Sequence, residues 1–311
     1  TRLQGDWSSD VCSSDLNEML LNHLKEAIKL KPVALPKATL KLPANVMKYT
    51  ELTEEGMDSE ELNFAGWFMS EKRDGWHIIW DGKSKLLTKN KSKTLAAPIS
   101  WLKLLPQGVA LSGEVVVEGG NFSDTARLVK PSGPWKRAKF IVFDVLNHED
   151  RTKPFRERLH KLARVVNESC RAEPLCPLVL AEQIKLPNGS RSRMDIAEFY
   201  GKVKARGGEG VVLTDPSSVY EEGPKRSKRR VKIKVMNDAE AVVTGHNIKK
   251  EDGTLKSLNV AFEPEGAEKR VHFRLGTGFT GEERKSWARH FPVGTVVTFK
   301  FMKLNPGSMK P

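Results

Sequence analysis

Five short stretches carry the chemistry of this 311-residue chain. In order they are Lys72-Arg73-Asp74-Gly75, Ser112-Gly113-Glu114, Phe143-Asp144, Glu209-Gly210-Val211-Val212-Leu213 and Lys232-Ile233-Lys234. A lysine two places before an Asp-Gly pair, a tight-turn signal, can be presented at the mouth of a sheet. Glu114 and Glu209 each stand beside strand-like apolar residues, where a carboxylate is costly to bury unless a cation pairs with it. Lys232 and Lys234 share one strand face by the period of two. An amine, two carboxylates and two further cations are the parts needed to bind a nucleoside triphosphate and attack it with a lysine. Taken singly, each has a plainer reading. Lys72 would be a surface lysine beside a hairpin turn, Phe143 core packing, Asp144 a strand end, and Lys232 one more member of a basic run.

The elements that must position these residues are legible as strands and two helices. Strand-like runs cover Ala65 to Met69 and Trp76 to Trp80, the latter returning through Asp81-Gly82 into Lys85 to Thr88 as a hairpin. Val109 to Glu118 and Lys139 to Leu146 read as buried strands carrying Glu114 and Phe143. Pro154 opens a helix from Phe155 to about Glu168, with Leu159, Leu162, Val165 and Val166 on one face. A second helix spans Met194 to Ala205 and ends at Gly207-Gly208, before the short strand carrying Glu209. The basic run Lys225 to Arg230 then feeds a strand from Val231 to Val235. After Asn237-Asp238 short strands alternate with glycine-containing turns; five or so of them fit a small barrel of the OB type.

Net charge is +13 and 39% of residues are hydrophobic, which suits a globular protein with a polyanionic partner. The charge is concentrated: Glu71 to Lys234 holds 33 Lys+Arg against 19 Asp+Glu. No stretch reaches the apolar length needed to span a bilayer. Three cysteines make neither a disulfide framework nor a zinc pattern; Cys170 and Cys176, flanking Pro174, read as unpaired thiols in a loop. Any metal would be held by carboxylates and suit magnesium. Asp10 to Leu16 back-translates into the end of a common sequencing adapter, so residues 1–16 are read as an artefact. A genomic read encoding them would overturn that reading. Asn17 to Leu30 has helical spacing, and Pro32, Pro36 and Pro43 break residues up to 63 into an extended lead-in or wrapping arm without chemistry.

The ordered set resembles the covalent nucleotidyltransferase superfamily, and within it the ATP-dependent DNA ligases, most closely the compact bacterial kind. The likeness runs from about Trp67 to the end. Further support comes from Trp80-Asp81-Gly82, Pro154-Phe155-Arg156-Glu157-Arg158-Leu159 and Arg274-Leu275-Gly276-Thr277-Gly278-Phe279. The resemblance implies an α+β fold: a nucleotidyltransferase domain over 64–236, with ATP-grasp-like antiparallel sheets and helices, then an OB-fold domain over 237–311. It implies that Lys72 forms a phosphoramide with AMP, and that AMP then passes to the 5′-phosphate of nicked duplex DNA before the 3′-hydroxyl displaces it. Ser70 would read the adenine edge, Phe143 would stack on the ring, and Glu114 would contact the ribose. Glu71, His77, Lys89, Lys232 and Lys234 would complete the ATP site, with Asp74 serving the later steps. Lys232, Lys234 and a bound magnesium (or manganese) would favour the neutral, nucleophilic amine. Glu209 and Glu114 would hold that metal. Lys225, Arg226, Lys228, Arg229 and Arg230 would track the DNA backbone; a nuclear-import signal would have the same composition. A monomer serving DNA repair, replication or recombination is expected, in a compartment the sequence leaves open.

Three positions depart from the family pattern: His77 and Lys89 stand where arginine is usual, and Ser112 replaces an aspartate. Lysine lacks the bidentate grip of arginine, and histidine is largely neutral at pH 7. The chain also stops at Gly307 to Pro311, where the family's last basic motif would begin, so weak self-adenylation is expected of this polypeptide. An RNA ligase or a GTP-using capping enzyme is the rival within the superfamily. A non-catalytic nucleic-acid-binding protein is the rival of another class.

Overall fold

The structure is a computed structural model that describes residues 40–54, 56, 62–120, 122–130, 132–189, 191–265, 269–305 and 308–311. The segment read as an artefact and the helix expected from Asn17 to Leu30 lie outside these residues. The chain divides into two compact units, one ending at Ile233 and the other starting at Lys234.

The first unit is mixed α+β, built on two five-stranded sheets. One sheet has the order β1-β10-β9-β2-β8, formed by Lys48–Leu52, Arg226–Lys234, Gly210–Thr214, Phe68–Glu71 and Ile184–Lys185 respectively. The other has the order β4-β3-β5-β6-β7, formed by Leu86–Thr88, Trp76–Trp80, Leu111–Val117, Ala138–Val145 and Leu178–Leu180. Neither sheet is purely antiparallel as expected, because β1 runs parallel to β10 and β6 parallel to β7. The hairpin of β3 and β4 forms as read. The described part of the lead-in, from residue 40, enters the first sheet as an edge strand, with Val46 and Met47 buried just before it.

Helices α1 (Ile99–Leu102), α2 (Phe122–Ala126) and α3 (His148–Arg151) are single turns; α4 (Phe155–Ala172) and α5 (Arg191–Ala205) are the long ones. Helix α4 buries Phe155, Leu162, Ala163, Val165 and Val166, and its apolar face packs on β6 and β7. Each of these side chains larger than alanine contributes about 1.5–3 kcal/mol on burial. The helix runs to Ala172, longer than its periodicity suggested, and stops where Glu173 takes an extended conformation ahead of Pro174. Cys170 is consequently helical rather than in a loop; its sulfur lies 2.8 Å from that of Cys176, both as free thiols. The second sheet's core gathers Ile78, Trp80, Leu111, Val115, Phe140 and Val142.

The second unit is an all-antiparallel sheet of β11 (Asn237–Ile248), β12 (Leu255–Phe262), β13 (Val271–Leu275) and β14 (Val296–Phe301), in the order β13-β12-β11-β14. Val243, Leu255, Leu258, Val260, Phe262 and Phe299 form its core. Short helices α6 (Gly281–Lys285) and α7 (Trp287–His290) lie between β13 and β14, α6 opened by a Thr280–Glu283 capping box. Among the described residues no pairing joins β13 to β14, so the expected barrel closure is absent. No described helix is long and apolar enough to cross a membrane.

Candidate active site

Lys72 does not sit on a hairpin turn. Strand β2 belongs to the first sheet and β3 to the second, so Lys72 to Gly75 is the segment that crosses between them. The crossing is anchored on its first side by the β2–β9 ladder, in which Ser70 faces Val212 and Glu71 faces Val211. The Lys72 backbone N–H extends that ladder by donating to the Gly210 carbonyl at 2.8 Å. Gly75 does not adopt a positive φ; a Cβ there would lie 2.7 Å from the Val115 carbonyl oxygen, so glycine is required by close approach to β5. The ammonium of Lys72 donates to the carboxylate of Glu209, which precedes β9; their side chains are 21% and 12% exposed. The buried-carboxylate expectation for Glu209 is thereby resolved: its cation is Lys72 itself.

The second sheet supplies the facing wall. His77 on β3 stands directly opposite Glu114 on β5. The imidazole Nε2 is 2.8 Å from the Ser112 Oγ, and the ring meets Phe143 edge to face at 5.4 Å and 74°. Burial, reinforced by Lys89, Arg230 and Lys72, lowers the His77 pKa to about 3 and keeps the ring neutral. Burial pushes the Glu114 carboxyl up to about 8, against the pull of Lys72, and its Oε2 is buried with no hydrogen-bond partner among the described residues. Partial desolvation at the cavity wall, and then Lys232, push the Lys89 ammonium down from its ordinary value. Lys232 is paired with Glu51 of β1 at 3.1 Å.

Ser70, Glu71, Lys72, His77, Lys89, Glu114, Phe143 and Lys232 line one cavity of about 310 Å³. Glu209 reaches it through Lys72. Asp74 lies in the crossing segment, half-buried, outside the lining residues, and Lys234 ends β10 at the start of the second unit. The Glu71 carboxylate is engaged by Arg206 at 2.7 Å and Arg73 at 3.1 Å. Among the five residues expected to follow DNA, Lys225, Arg226, Lys228 and Arg229 are exposed. Arg230 is not: it is 3% exposed, lines the cavity and pairs with Asp144 at 2.9 Å, so it is corrected to an interior residue. Asp144 is fully buried and also holds Arg158 of α4 in a bidentate pair at 2.8 and 3.1 Å. Arg230 further packs over Phe155, Tyr49 and Phe143 at 4.7, 5.1 and 5.9 Å.

The sequence missed Met47, Lys48 and Tyr49 of the lead-in, together with Ile141, Ala181, Gln183, Val212 and Thr214, all of which line the cavity. Two signals could have found some of them. The period of two that pairs Lys232 with Lys234 also reaches Arg230, and Val212 and Thr214 share one face of β9. Nothing local marked Tyr49 or Gln183.

A divalent cation fits this donor set. No group of three or more His, Cys, Asp or Glu among the described residues could hold a metal alone. The orphaned Glu114 oxygen and the Glu209 carboxylate nevertheless offer the one or two protein oxygens that magnesium takes when phosphates and water supply the rest.

Known proteins resemble most of the chain. Residues 70–234, more than half of it, match the family model described as the ATP dependent DNA ligase domain. A DNA ligase of Haemophilus influenzae is 31% identical over 238 residues, covering 76% of this chain and 80% of that protein. A DNA ligase of Archaeoglobus fulgidus is 32% identical over 235 residues, 69% of this chain but 40% of its own length. The solved structure of a Lig E DNA ligase superposes with a TM-score of 0.67 at 30% identity, covering 86% of this chain and 95% of that one.

Proposed function

The chain belongs to the ATP-dependent DNA ligases, and from that membership we propose that its cavity carries out lysine adenylation and nick sealing. One observation carries the reading: Lys72, held by Glu209, projects into a cavity shared by Phe143, Glu114 and Lys232, within the matched region. ATP enters with its adenine against Phe143 and Ser70 and its ribose near Glu114. Lys89 and Lys232 neutralise phosphate charge. The Lys72 Nζ gives up a proton, for which the Glu209 carboxylate is the nearest acceptor, and attacks the α-phosphorus. The N–P bond forms as the bond to the β-phosphate oxygen breaks, releasing pyrophosphate. An oxygen of the nick's 5′-phosphate then takes the AMP from Lys72, and the 3′-hydroxyl displaces AMP to close the strand, with Asp74 serving these steps. Glu114 and Glu209 would hold magnesium or manganese, which when bound supplies charge neutralisation at the phosphates.

The Lig E relative is described as binding DNA with a minimal scaffold; here Lys225, Arg226, Lys228 and Arg229 would track the backbone of a nicked duplex, the chain acting as a monomer. We read the first unit as the adenylation domain and the second as an OB-type domain, supported by its antiparallel strands around one apolar cluster. Repair, replication and recombination are the processes such sealing serves. Incubation with α-labelled ATP and magnesium is expected to label the protein, and Lys72→Ala to abolish the label. Nicked DNA is expected to be sealed and nicked RNA left open. Label from GTP alone would return the reading to a capping enzyme.

A further inference from the structure

Gln183 is a cavity-lining residue whose buried state the adenylation chemistry leaves unexplained. It is 5% exposed, and its Oε1 is buried with no hydrogen-bond partner among the described residues. Buried polar atoms without partners are rare in native proteins, and one that lines a cavity points to a ligand group that completes it. Gln183 lies one residue before β8, which pairs with β2 through Met69 opposite Ile184 and Phe68 opposite Lys185. Continuing that register by one step brings Gln183 opposite Ser70. By the period of two, Ser70 and Lys72 share one face of the chain, so Gln183 lies beside Ser70 on the same wall that carries the nucleophile. The same cavity is lined by the apolar side chains of Ile141, Phe143, Ala181 and Val212. A lining of this kind accepts an aromatic ring on its faces and asks for polar groups at the ring's edge.

We infer that Gln183 is a specificity-determining residue for the nucleotide, its Oε1 accepting a hydrogen bond from the exocyclic amine of adenine. A side-chain amide presents an acceptor and a donor side by side, which matches the amine and adjacent ring nitrogen along an adenine edge. Guanine carries a carbonyl oxygen where adenine carries that amine, so its lone pairs would face those of Oε1. A site built to bond a polar group rejects the analogue lacking it far more strongly than an apolar pocket does.

This inference rests on the adenylation reading, and the test separates the two. The rate of Lys72–AMP formation is measured on the full chain with ATP, and the corresponding adduct with purine riboside triphosphate, which lacks only the exocyclic amine. Wild type is expected to prefer ATP by about tenfold or more in kcat/KM, chiefly through KM. Gln183→Leu is expected to lose most of the ATP rate and markedly less of the rate with the amine-free analogue, which keeps only the ring-nitrogen bond to lose, collapsing the preference. Gln183→Met, unbranched and similar in volume, is the second variant should leucine disturb folding, and the same collapse is expected. Equal losses for both nucleotides, or an undiminished preference, would overturn the role of Gln183. Failure of wild type to form any Lys72 adduct from ATP would instead overturn the adenylation reading.

Discussion

His77 and Ser112 are two of the three departures from the family pattern, and they touch, Nε2 to Oγ at 2.8 Å. Their contact makes them one coupled pair rather than two independent positions. Where arginine and aspartate would form a charged pair, a neutral ring and a hydroxyl form a neutral one, leaving the local charge balance intact. A double-mutant cycle should show this coupling: His77→Arg alone is expected to destabilise more than His77→Arg with Ser112→Asp, by about 0.5–3 kcal/mol of interaction energy in denaturant melts. The same histidine predicts a pH effect. Its pKa is lowered from 6.5 to about 3 by burial and by neighbouring cations, so folding holds it neutral. Its contribution is fully present above the ordinary value of 6.5 and is lost as pH falls towards 3. Thermal melts across that window should fall more steeply for wild type than for His77→Asn; parallel curves would show that the ring titrates normally.

Single elements place these residues by contacts with little tolerance. Strand β5 carries Glu114 and lies against β6, which carries Phe143, with Gly113 at the closest approach. A Cβ on Gly113 would clash with the Ile141 carbonyl oxygen and lie 2.8 Å from a Phe140 ring carbon. Gly113→Ala is thus expected to push the two strands apart, cost about 1–3 kcal/mol in stability, and raise KM for ATP through displaced Glu114 and Phe143. The buried Asp144 ties β6 to α4 through Arg158 and to β10 through Arg230. Removing it leaves two buried guanidiniums uncompensated. Asp144→Ala is expected to cost about 3–5 kcal/mol by urea unfolding, whereas Lys202→Ala, which breaks the exposed pair with Glu198, should cost under about 1 kcal/mol.

Across the whole molecule the net charge of +13 sets the response to salt. If Lys225, Lys228 and Arg229 contact phosphates, replacing all three with glutamine should weaken binding to nicked duplex regardless of sequence. It should also flatten the slope of log affinity against log salt by up to about 3. Lys72–AMP formation should persist in that variant, because none of the three lines the cavity. An unchanged salt slope would move the DNA contact to another surface.

The sequence by itself determined the order of motifs, the hairpin of β3 and β4, both long helices and most of the cavity's charged residues. Those depend on local periodicity and on residue types whose burial demands a partner. Only the tertiary structure decided that Lys72 lies on a crossing between two sheets, because a hairpin turn and a crossover read alike in four residues. It alone moved Arg230 from surface to interior, since a basic run conceals which members alternate inward until Asp144, 86 residues earlier, is brought alongside. It alone recruited Tyr49 and Gln183. Their role comes from strand pairing, β1 against β10 and β8 against β2, and pairing between distant segments leaves no mark in either segment's own pattern.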